Sequence, residues 1–173
     1  MTEPVEPDWP KQIFDLLVDA GVSLFAYVPD AGNKAIIEMA DEHNETRTVL
    51  LSAEEEGVAI CAGADLVGQR AVLFMQSSGV GNCPNFLSLI SHGRFPLLMI
   101  VTMRGDYGEQ NPWQYAMGQA VEPVLEAMGM RTIRLDRPDE LETATTAAIS
   151  AAFKANQGVA LILSQQFLGA KAF

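Results

Sequence analysis

The sequence predicts a doubly wound, three-layer α/β/α sandwich with a mostly parallel sheet of about six strands. Helical and strand patterns alternate along the whole chain. The strand segments lack clean polar alternation, and "PLLMIVT" (96–102) is apolar from end to end, as expected of a sheet covered on both faces. The 173 residues, 49% hydrophobic and 19% charged, suit one core. Residues 1–10, "MTEPVEPDWP", are acidic and proline-rich and are expected to form a flexible lead-in to one domain over 11–173. There is no internal repeat.

"PKQIFDLLVDAG" sets Ile13, Phe14, Leu16, Leu17 and Ala20 at helical spacing and stops at Gly21. "VSLFAYVP" is a β-rich run ended by Pro29, "NKAIIEMADEH" a helix and "TRTVLL" a strand. In "LLSAEEEGVAICAGADLVG" (50–68), three glutamates precede a helix of small and apolar residues that ends near Gly68. Strand "RAVLFMQ", turn "SSGVGN", helix "CPNFLSLISHG" and strand "PLLMIVT" follow. A polar stretch, "MRGDYGEQNPWQYAMGQ" (103–119), breaks the rhythm. Helix "VEPVLEAMG", strand "RTIRL", helix "PDELETATTAAISAAFKAN" and strand "GVALILS" complete the chain. Ligands of such sheets gather beyond the carboxyl ends of the strands. The loops there are "PDAGN", "SAEEE", "SSGVGN" and "MRGDYGEQNPWQ".

No apolar run reaches the roughly 18 residues of a membrane span. The first residues have neither the basic start nor the apolar stretch of a signal peptide. A net charge of −11 argues against nucleic acid and anionic membrane as partners, so an anionic substrate must meet a local basic group. Cys61 and Cys83 have no metal-type spacing and read as buried thiols of a reducing cytoplasm. With only His43 and His92, a histidine-rich metal site is not expected.

Ser52 and Glu55 fit a capping box, and three acids near a helix start favour its dipole. A second reading rests on geometry. At 100° per residue Glu55 shares a face with Ala59, Ala62, Gly63 and Leu66, whereas Glu54 lies with Asp65 and is expected to face solvent. Small residues permit close packing against another backbone, which would desolvate Glu55 and leave its carboxyl seeking a proton-bearing partner. The glycines of "SSGVGN" allow close backbone approach to a ligand or simply form a helix-entry turn; the P-loop lysine is absent. Asp30 and Asn33 suit turn formation or helix capping. Arg104 suits bidentate anion binding or an ion pair with Asp106 or Glu109. His92 reads as a helix-end residue, and Trp113 lines a pocket or anchors its loop.

The segment "EEEGVAICAGADLVGQRAVLFMQSSGVGNCPNFLSLISHGRFPLLMIVTMRG" resembles the pyrimidine-binding domain of thiamine diphosphate enzymes. The order is a glutamate opening a small-residue helix, a strand, a glycine turn with asparagine, a helix and "PLL". Within that family "VPD" and "RGDYGEQNPWQYAMGQ" are most similar to small α subunits of sulfopyruvate decarboxylase, with phosphonopyruvate decarboxylases next. The resemblance implies a carboxy-lyase acting on a small anionic 2-oxo acid, with thiamine diphosphate as electron sink. It gives Glu55 the activating role at the aminopyrimidine ring nitrogen, with further cofactor contacts from Pro29, Ser78, Gly79, Val80 and Asn82. Substrate contacts fall on Asp30, Asn33, Arg104, Gln114 and Tyr115. Two departures stand out. Asp30 comes one position early, with Ala31 in the family's usual polar place, and Gln114 and Tyr115 replace the histidine pair of pyruvate decarboxylases. The chain has no G-D-G motif, so diphosphate and Mg2+ are expected on a partner β subunit, with the cofactor at the interface of a hetero-oligomer. Alone, the chain is expected to be inactive. A non-catalytic assembly or regulatory subunit of the same fold, or a flavodoxin-like binding module, is the reading from a different class.

Overall fold

The computed structural model describes residues 8–169. In chain order, α1 (Trp9–Asp19), β1 (Val22–Tyr27), α2 (Lys34–Glu42), β2 (Arg47–Leu50), α3 (Glu54–Leu66) and β3 (Arg70–Gln76) come first. The short α4 (Ser77–Val80), α5 (Pro84–Gly93), β4 (Leu97–Thr102) and α6 (Tyr115–Ala127) follow. Then come β5 (Arg131–Leu135), α7 (Leu141–Phe153), β6 (Gly158–Leu163) and α8 (Gln165–Leu168). The six strands pair in parallel in the order β2-β1-β3-β4-β6-β5.

Strand side chains alternate between two cores, and that alternation builds the three layers. From β4, Leu97, Met99 and Val101 join Val58 and Cys61 of α3, Leu87 of α5 and Leu125 of α6. Leu98 and Ile100 turn the other way, to Ile13 and Leu17 of α1, Ile36 of α2 and Ile149 of α7. Neither face of β4 is left for water, which explains why it is apolar from Leu97 to Val101. No helix among the described residues is long and apolar enough to cross a membrane.

The helix ends follow local chemistry. Asp8 caps α1 by accepting the Lys11 N–H at 3.3 Å, so Trp9 and Pro10 of the expected lead-in are helical. Residues 1–7 lie outside the described residues. At the far end of α3, Gly68 takes φ +74 and its N–H reaches Asp65 O at 2.9 Å, closing the helix where expected.

Two expectations are corrected. The glycine turn after β3 contains a short helix, α4. In addition, α6 begins at Tyr115, six residues ahead of the predicted "VEPVLEAMG", and carries Pro123 inside it. The cause is packing that composition hides. Met117 rests on the core, and Gly118 sits so close to the preceding loop that a Cβ there would lie 2.3 Å from Gly105 O.

Gly57 lets α3 lie down on the sheet: a Cβ at that position would come within 2.3 Å of Leu73 Cδ1 and 2.8 Å of Leu51 Cδ1. Gly57→Ala is expected to destabilise the fold by about 1–3 kcal/mol through overpacking, read as a drop in denaturant midpoint with unchanged slope. Gly63→Ala, with nothing within 4 Å of its Cβ, is expected to leave that midpoint the same or raise it.

Candidate active site

The chain leaves β1 for β2 on one side and then returns to place β3 on the other. A ligand crevice opens where such a reversal separates the two following loops. Asp30, just beyond β1, ties its floor together. Its Oδ2 accepts the Gly32 N–H at 2.9 Å and the Thr102 hydroxyl at 2.8 Å, and its Oδ1 accepts the Gln76 side-chain N–H at 3.1 Å. One carboxylate thus joins the tips of β1, β3 and β4. Pro29 is exposed beside it. Asn33 is buried to 1% exposure, and neither its Oδ1 nor its Nδ2 has a hydrogen-bond partner among the described residues. It therefore does not cap α2 through its side chain. With Tyr27, Asp30, Lys34 and Ile37 it lines a cavity of about 380 Å³.

The three glutamates at the start of α3 take three different environments. Ala53 is the N-cap, so Ser52 and Glu55 do not form the expected capping box. Instead Glu56 reaches back to accept the Ser52 N–H at 2.9 Å, because the helix starts at Glu54 and leaves Ser52 outside it. Glu54 is half-buried and turned onto the glycine turn after β3, not simply directed to solvent. Its carboxylate lies over Gly79, where a Cβ would meet it at 2.4 Å, and its Oε2 accepts the Asn82 amide at 2.7 Å. Glu55 is half-buried, and its Oε2 is shielded from water without a hydrogen-bond partner among the described residues. Both acids lie near Cys83. Burial first, then the charges of Glu54 and Glu55, push its thiol up to about 12. Cys61, fully buried, is likewise raised to about 12 by desolvation, so both thiols are inert at neutral pH.

The face predicted for Glu55 is divided. Ala62 packs inward, while Ala59, Gly63 and Leu66 stand out from the molecule, Leu66 at 74% exposure. Phe86 and Leu89 of α5 and Val67 are exposed as well. In α4, Gly79 and Val80 are buried, while Ser78 and, just beyond the helix, Asn82 are exposed. Ser77 is buried and bonds the Arg104 backbone twice, at 3.0 and 3.2 Å, locking this turn to the loop after β4.

Arg104 lines a second cavity of about 190 Å³ with Asp30, Thr102 and Gln165, but two of its donors go to Glu109 in a bidentate pair. Of the two ion pairs expected, the one with Glu109 is formed. It is not superficial, because Glu109 is only 5% exposed. Its carboxylate also accepts from Gln165 Nε2 at 2.8 Å and from the N–H groups of Gln110 and Asn111 at 3.0 and 2.9 Å. The guanidinium first, then these donors against the cost of burial, hold Glu109 well below the usual carboxylate range. Gln165 Oε1 accepts from Asp106 and Tyr107, and Asp106 pairs with Arg134. Tyr115 donates its hydroxyl to Glu109 O at 2.5 Å, and the Gln114 carbonyl abuts Gly105, whose φ of +80 requires glycine. Trp113 stands 89% exposed on this braced loop. His92 bonds the Ser88 carbonyl on its own helix, away from the crevice loops.

These elements define a doubly wound parallel α/β domain with a crevice at the carboxyl edge of its sheet. No family model matches the chain. Sulfopyruvate decarboxylase subunit alpha of Methanocaldococcus jannaschii is 33% identical over 151 residues, 87% of this chain and 89% of that protein. Phosphonopyruvate decarboxylase of Streptomyces viridochromogenes is 34% identical over 134 residues, 76% of this chain but only 34% of the longer relative. Among solved structures, 2-oxoglutarate:ferredoxin oxidoreductase from Magnetococcus marinus superposes with a TM-score of 0.70 at 12% identity, over 92% of this chain and 29% of that one, a likeness of fold. The chain belongs to the family of sulfopyruvate decarboxylase alpha subunits.

Because the folded state holds Glu109 below its ordinary value of about 4.3, its ionised form contributes stability above that value. That contribution is lost progressively as pH falls below it. Glu109→Gln is expected to cost about 3 kcal/mol at neutral pH and to flatten the stability profile below about pH 4, measured by denaturant titration at several pH values.

Proposed function

We propose that the chain is the α subunit of a thiamine-diphosphate-dependent 2-oxo acid decarboxylase, converting 3-sulfopyruvate to sulfoacetaldehyde and CO2 together with a β subunit. The observation that carries this reading is the shielded, unpartnered carboxyl oxygen of Glu55 at the crevice end of α3. A buried acceptor without a partner costs about 1–3 kcal/mol, which a ligand N–H would relieve. The cofactor, when bound, supplies an electron sink for the departing CO2. This chain supplies the acid, the close backbone approach at Gly79 and the polar groups of Ser78 and Asn82, with Pro29 and Val80 shaping the pocket. Asp30, Asn33, Arg104 and Gln114, with Tyr115 at the start of α6, are the residues that would meet the substrate.

Partner dependence is supported on two grounds. Relatives that this chain matches over most of their own length are named as alpha subunits, which implies a companion chain. The outward stripe of Ala59, Gly63, Leu66 and Val67 beside Phe86 and Leu89 is an unpartnered apolar face continuous with Glu55. We infer that the β subunit, bringing Mg2+ and diphosphate, seats there. The two buried free thiols fit a reducing cytoplasm.

A second assignment of the acid is favoured by one contact: Glu54 is the carboxylate that lies on the glycine turn and bonds Asn82. Substitution in the reconstituted pair separates the two. Glu55→Gln is expected to lower kcat by about 10²–10⁴-fold with assembly intact, and Glu54→Gln by less than about tenfold. The reverse pattern moves the role to Glu54. Full turnover in both variants overturns the enzymatic reading in favour of an assembly or regulatory subunit. Comparing kcat/KM on sulfopyruvate and phosphonopyruvate decides between the two substrates.

A further inference from the structure

Gln76, the last residue of β3, occupies a chain of hydrogen bonds that crosses the crevice floor. The Asp30 carboxylate accepts from Thr102, Gly32 and the Gln76 side-chain N–H, and Gln76 Oε1 accepts the Ser78 hydroxyl at 3.0 Å. An ionised carboxylate only accepts, so the Gln76 amide must turn its nitrogen toward Asp30 and its oxygen toward Ser78. The reversed amide would set two acceptors against each other at Asp30. With its oxygen facing Ser78, Gln76 consumes the single proton of that hydroxyl. Ser78 is exposed, so what it offers the crevice is a lone pair and not a proton.

We propose that Gln76 is a positioning residue that sets the polarity of the site, holding Ser78 as a hydrogen-bond acceptor toward a ligand group that carries a proton. The matching chemistry is an amino or ring N–H group. A carboxylate or sulfonate is refused, since it would bring an acceptor to an acceptor beside the Asp30 charge. This rests on the cofactor reading above and deepens it: the cofactor's aminopyrimidine end carries the donor, and the anionic ends of the substrate lie elsewhere in the crevice.

The test uses the assembled α and β pair with thiamine diphosphate as the probe, its affinity measured by titration calorimetry, and steady-state kinetics on the 2-oxo acid. Ser78→Ala and Gln76→Leu are each expected to weaken cofactor binding about three- to tenfold, the worth of one hydrogen bond, with KM for the 2-oxo acid changed less than twofold. Because Gln76 acts through Ser78, the double variant is expected to bind no more weakly than Ser78→Ala alone. Unchanged cofactor affinity in Ser78→Ala overturns the proposal, and this holds even where Gln76→Leu fails to fold. An additive double variant, or a raised KM with cofactor affinity intact, also overturns it. Should the wild-type pair bind no thiamine diphosphate, the cofactor reading and the proposal fall together. Binding that is present but insensitive to both substitutions removes the proposal alone.

Discussion

A parallel sheet buried on both faces has no side on which to place a polar group, and that constraint organises the molecule. Polar chemistry is displaced to the strand ends, and at the carboxyl edge it has to be satisfied by side chains from different loops. Asp30 does this for β1, β3 and β4, and Glu109 does it for the loop after β4 together with Gln165. Both acids have their oxygens engaged, so the crevice is stiff before any ligand arrives. Asn33 and Glu55 are the exceptions, polar groups sheltered from water at the same edge without partners among the described residues. That unmet demand is the observation on which the proposed site rests.

The fold was legible because periodicity is local. Strand and helix alternation, the apolar run of β4 and the glycine stop at Gly68 each depend on a few neighbouring residues. The start of α6 was not legible, since it depends on Gly118 meeting Gly105 across a loop. The glutamate triplet marks the middle case. Spacing alone separated Glu54 from Glu55, but the direction of Glu54 is set by Gly79 and Asn82, which follow in the chain only after a whole strand. The brace at Glu109 was visible only as one of two ion-pair options for Arg104, because its other side-chain partner, Gln165, sits after the final strand. Gln76 carried no motif at all, and its part in the crevice emerges from contacts to Asp30 and Ser78.

Adjacent acids on one helix turn thus do three jobs. Glu56 closes the helix entrance, Glu54 clamps the glycine turn and Glu55 leaves one oxygen without a partner among the described residues. The roughly 100° between successive helix positions is enough to give each a separate environment. A small-residue helix makes this arrangement possible: Gly57 lets the backbone lie close to the sheet, bringing the carboxylates level with the strand tips.

The strand order also has a bearing on biosynthesis. The last strand among the described residues, β6, does not lie at a border of the sheet but is inserted between β4 and β5. A chain emerging from the ribosome therefore leaves the margin of β4 unpaired until β6 has been made, although β5 is already present. Gln165 arrives on the same segment. The loop bearing Arg104 and Glu109 thus gains its Gln165 contact only once β6 is in place.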